Sequence, residues 1–96
     1  MQITDVELIQ KLKEAVKQER DLVAKVLNYL RTVEERKLFL IRGFPSMFAF
    51  CMTELGYSES EAHIRIQAMR LIRTLPMVEK KIEDGELSLS VAAKDC

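Results

Sequence analysis

The sequence predicts an all-α fold, with a long N-terminal helix followed by a compact bundle of short helices that includes a helix-turn-helix-like unit. Three observations carry this expectation. Apolar residues recur at alternating three- and four-residue steps through the first third of the chain. No glycine or proline occurs before Gly43, so nothing punctuates that run. Beyond it, Gly43, Pro45, Gly56, Pro76 and Gly85 cut the remainder into helix-length segments. A chain of 96 residues supports one hydrophobic core, so 1–96 reads as a single domain.

The first segment opens on "ITDVE", where Thr4 and Glu7 have the spacing that satisfies orphan N–H groups at a helix start. The helix therefore starts near Asp5. Ile9, Leu12, Val16, Val23, Val26, Leu30 and Val33 form its apolar seam, Glu19 is the one polar residue in it, and Leu8, Ala15 and Leu22 widen it. A single helix of about 30 residues spans roughly 45 Å, more than so small a globule covers by itself. The usual remedy is a second copy, which makes those seven residues candidate homodimer contacts. A break near Lys17–Asp21 is the alternative, with residues 5–42 forming a helix pair instead of one long helix.

In "RGFPSMFAFCMTELGYS", Gly43 suits a left-handed helix end, Pro45 the first turn of the next helix, and Gly56 its close. Phe44, Phe48, Phe50 and Met52 are expected to fill the core, and Cys51 to be a core thiol. Ser58 or Ser60 then caps a helix running from about Glu59 to Thr74, with Glu59 and Glu61 in its positive first turn. Ile64, Ala68, Leu71, Ile72 and Leu75 share one face, while Ala62, Ile66 and Met69 form a second. A narrow polar stripe of His63, Gln67, Arg70 and Thr74 remains. A short helix from Pro76 to Gly85 follows, and "LSLSVAAK" reads as the capped start of another. The apolar Leu87, Leu89, Val91 and Ala92 of that last stretch are expected to dock on a neighbour or lead into further chain.

Hydrophobic content of 48% with 31% charged residues is the balance of a soluble folded protein. Fifteen basic residues against fifteen acidic ones leave no global field to draw in nucleic acid or anionic lipid. Any basic surface is local, and the stretch from Ala62 to Lys81 supplies one: Arg65, Arg70, Arg73, Lys80 and Lys81 against Glu79. His63, Gln67 and Arg70 are types that contact base edges, with Arg73, Lys80 and Lys81 available for phosphates of duplex DNA. The alternative is that these are solvated residues and internal ion pairs, with Arg65 anchored by Glu34 or Glu54. The apolar runs are short and the N-terminus lacks a signal-peptide pattern, so no membrane is expected and a cytoplasmic location follows. Cys51 and Cys96 have no metal-ligand spacing and His63 is the lone histidine, so no metal or other cofactor is expected. Without a nucleophile–base pair or a phosphate-cradling glycine loop, the chain reads as no enzyme, with no small-molecule substrate evident.

The run from Val26 to Ala93 resembles the helical region that precedes the nuclease domain in bacterial HNH endonuclease-like proteins. The matching residues begin with Glu34 and Arg36, followed by Gly43, Phe44, Ser46, Phe48, Phe50 and Cys51. They continue through Leu55 to Glu59, Ala62, Arg65, Ile66, Ala68 and Arg70, and close with Pro76, Gly85 and Leu87 to Leu89. The resemblance implies a DNA-associated module. The family's catalytic residues belong to a downstream motif that this sequence does not contain, which implies no catalytic activity in these residues. Leu55, Gly56, Ser58, Leu75, Pro76, Ile82, Gly85, Leu87 and Ser88 are also similar, more loosely, to the helix-turn-helix of ParB-type partition proteins. This sequence departs from that scheme in a longer helix and in Glu59 and Glu61 at its start. Two functions emerge: a noncatalytic, dimeric DNA-associated module, or a protein-interaction and dimerisation module that does not bind DNA.

Overall fold

The computed structural model describes residues 3–89. They form five helices: α1 Asp5–Glu35, α2 Leu38–Ile41, α3 Met47–Thr53, α4 Glu59–Thr74 and α5 Met77–Glu83. The described residues contain no strand. The all-α class, with its long first helix and packed shorter ones, is the one the sequence predicts. No helix among the described residues is long and apolar enough to cross a membrane.

At the start of α1, the Thr4 hydroxyl accepts from the Glu7 amide at 3.2 Å. The helix runs without a break through Lys17–Asp21, where Lys17 and Asp21 pair across one turn at 3.5 Å. The reversal comes at Lys37, a non-glycine residue in the left-handed region with φ 54° and ψ 36°. Its amide still donates to the Glu34 carbonyl at 3.1 Å, so the chain folds back on the last turn of α1 and begins α2. The stretch 5–42 is therefore one long helix plus a single turn.

Gly43, at φ 92°, ends α2. Its amide donates to the Leu40 carbonyl at 3.0 Å and that of Phe44 to Phe39 at 2.9 Å, the paired bonds of a Schellman close. Pro45 does not enter the next helix as the sequence reading placed it. Ser46 provides the cap, accepting from the Ala49 amide at 3.1 Å, and Pro45 precedes it. Gly85 closes α5 in the same way as Gly43 closes α2, with bonds of 3.2 Å to Ile82 and 2.9 Å from Glu86 to Lys81. The Arg20 guanidinium from α1 fills the space beside Gly85: a Cβ there would lie 2.6 Å from Nη1.

The core forms around α4, which packs on α1, α3 and α5. Leu27 and Leu30 of α1 meet Met47, Phe50 and Cys51 of α3, Val78 and Ile82 of α5, and the buried side of α4. Ala62 and Ala68 are fully buried, and their small size lets neighbouring helices approach closely. Phe44 meets Phe50 edge to face, with ring centroids 5.7 Å apart. The sequence reading placed Phe48, Met52 and Leu75 inward, and the structure leaves all three exposed. α3 is only two turns long, so a single line of it faces α4, and Met47 and Cys51 occupy that line instead. Leu87 and Leu89 pack against the core, whereas Val91 and Ala92 lie outside the described residues.

At about 1.5 Å per residue, α1 is roughly 46 Å long, close to the 51 Å longest dimension of the molecule. Its first eleven residues, 5–15, are exposed throughout. The helix is thus a strut whose first third stands clear of the globule.

Two backbone positions give measurable consequences. Lys37→Gly should raise stability by about 0.5–1 kcal/mol in urea denaturation, because glycine removes the left-handed strain. Gly85→Ala should lower stability by at least about 1 kcal/mol in the same assay, through its positive φ and the contact with Arg20.

Candidate interaction surfaces

α4 begins with a complete capping box: the Ser58 hydroxyl accepts from the Glu61 amide at 3.2 Å, and the Glu61 carboxylate accepts from the Ser58 amide at 2.9 Å. The bonds with the Ser58 backbone and side chain hold the Glu61 carboxyl below its ordinary value of 4.5, with Arg65 adding slightly. Along the helix, His63 is exposed, Gln67 is half-buried, and Thr74 donates its hydroxyl to the Arg70 carbonyl at 3.2 Å.

Arg70 and Arg73 both turn back onto Glu34 at the end of α1. Arg70 donates from Nε and Nη2 to Glu34 Oε2 at 3.1 and 2.8 Å, and Arg73 Nη1 donates to Oε1 at 2.8 Å. One mostly covered carboxylate, its side chain 14% exposed, therefore holds two guanidinium groups. Lys80 and Lys81 are exposed on α5, beside Glu79 and Glu83. Of the six residues expected to contact DNA, the structure joins Arg70 and Arg73 through a shared acid, half-buries Gln67, and exposes His63 on α4 and Lys80 and Lys81 on α5. The expected anchors of Arg65 are also different: it lies 4.6 Å above the Tyr57 ring and donates to the Glu61 carbonyl, while Glu54 pairs with Arg42.

The α1 seam divides. Ile9 and Leu12 are exposed and Val16 is half-buried, but Val23, Val26 and Val33 pack partly against the chain's own core. Leu30 is 3% exposed inside that core, so its expected role as a contact between copies is corrected. The helix is rotated so that a neighbouring line runs along the edge of the globule: Leu8, Leu12, Ala15, Leu22 and Tyr29 are exposed on it, Val26 and Val33 are half-buried, and Glu19 is its one charge. Leu22 and Tyr29 on this line are 59% and 67% exposed. Beside it lie two hollows of about 330 Å³ each. One is lined by Ala15, Glu19, Leu22, Tyr57 and Arg65, the other by Tyr29, Val33, Phe50 and Leu55, and they adjoin at Val26 and Tyr57. The sequence showed the apolar width of this stripe but not which line the globule uses, so Tyr29 escaped notice.

No group of three metal-binding side chains occurs among the described residues. Cys51 is fully buried, and burial pushes its thiol up, with Arg65 pulling weakly the other way. No protein-family model, curated protein or solved structure matches this chain.

The capping box makes stability depend on acid. Because the folded Glu61 carboxyl ionises below its ordinary value, its contribution is present above pH 4.5 and is lost as pH falls through the folded value. Glu61→Gln keeps the return bond without the charge, so denaturation midpoints measured between pH 5 and pH 3 should fall less steeply in that variant.

Proposed function

We propose that this chain is a noncatalytic, self-associating helical module whose contact surface is the outer face of α1. The observation that carries this reading is the exposed first third of α1, residues 5–15, with Leu8, Ile9 and Leu12 open to solvent. An isolated helix of that length is marginal in water, and an apolar stripe on it costs free energy until something covers it. Sedimentation equilibrium across micromolar concentrations tests the reading. A dimer mass is expected, and a monomer mass at high micromolar concentration overturns it.

DNA association is the second reading, favoured by the exposure of Arg70, Arg73, Lys80 and Lys81 on neighbouring helices, while the pairing of the two arginines with Glu34 opposes it until that acid is displaced. A phosphate is the ligand most able to compete with a carboxylate for paired guanidinium groups. Against it, α4 is packed on three sides, and Glu59 and Glu61 place carboxylates at its exposed start. Glu34→Gln separates the possibilities: duplex binding at low salt should tighten if the two arginines contact phosphate. The same variant should cost about 1 kcal/mol of stability, since both guanidinium groups are partly exposed.

A further inference from the structure

We propose that two copies of this chain pair antiparallel along the outer line of α1, each placing its N-terminal arm in the hollows beside the other's Val26 and Tyr57. This rests on the self-association reading above and adds the face, the occupant and the direction. The arm, Asp5 to Gln18, and the grooved half, Glu19 to Val33, are each about 21 Å long. Both belong to one continuous apolar line, so a two-fold axis near its midpoint lays arm on groove twice in a single operation. Leu12 then faces Tyr29 of the second copy and Ala15 faces its Val26, so layers of large and of small side chains alternate along the seam. The overlap, residues 8–33, covers about three and a half heptads, the span that marks a coiled coil.

Charge fixes the direction. In a parallel, in-register pair each seam position meets itself, and Glu19 would face Glu19 within an apolar contact. Antiparallel pairing sets Glu19 opposite Leu22 beside the two-fold axis instead, so the two carboxylates occupy different layers. It also brings Asp5 of the acidic first turn opposite the exposed Arg36 at the far end of the second copy's helix. The seam keeps a strict seven-residue step through Leu8, Ala15, Leu22 and Tyr29, so the pair winds with a left-handed supercoil.

The test uses the full chain. Leu22→Glu and Tyr29→Glu alter side chains already exposed in the single copy, so each variant should keep the cooperative thermal unfolding of its core while association weakens at least about 100-fold in sedimentation. Leu12→Cys and Tyr29→Cys, each with Cys96→Ser, should form a disulfide when mixed and little when alone, Cys51 being buried. If the unaltered chain is monomeric, the self-association reading falls and this inference with it. If it is dimeric but both glutamate variants stay dimeric, the reading survives and the proposed face is overturned. If Leu12→Cys alone crosslinks efficiently, the direction is overturned.

Discussion

The structure depends on the packing of Leu27 and Leu30 against α4. These two leucines attach α1 to the globule, and the helix holds no other fully buried large side chain. Once they are in place, the rotation of α1 is set. Val23 and Val26 lie at the edge of the core, Leu22 and Tyr29 point outward, and Glu34 arrives where Arg70 and Arg73 can reach it. The Asn28 amide bonds Glu79, tying α5 to the same stretch of helix. Truncating either leucine therefore disturbs more than its own volume, because the polar ties on α4 and α5 depend on the same alignment.

Much of the fold was legible in the sequence because its signals are local. The Thr4 cap, the Ser58–Glu61 box and the boundary at Thr74 follow from neighbouring side chains and the backbone groups they satisfy. Gly43, Gly56 and Gly85 all adopt positive φ, as helix-ending glycines do. What the sequence left hidden is tertiary. Lys37 adopts a left-handed conformation that its side chain does not advertise, and the reversal there follows from α2 folding against the end of α1. Phe48 looked like core and is exposed because only one line of a two-turn helix meets α4.

The candidate surfaces divide along the same boundary. Periodicity found the apolar width of α1 but gave two adjacent lines, and only the burial of Leu30 distinguishes the occupied one from the open one. Composition found the arginines of α4 but not their shared carboxylate, which lies thirty-six residues from Arg70 in the chain. Pairings across such separations leave no spacing to read. Composition thus names the residues of the basic stretch and the polar stripe, while their electrostatic state requires the geometry.

The arm of α1 has a thermodynamic consequence of its own. Residues 5–15 make no core contacts to reward their ordering, so in a lone chain their helix persists only on intrinsic propensity and the Thr4 cap. Amide protons there are the first to exchange with solvent, at opening free energies far below that of the globule. Whatever covers the arm must therefore supply its ordering entropy, and association becomes coupled to helix formation. Such coupling makes helical content itself vary with dilution, while the core around Met69 and Ile72 remains intact.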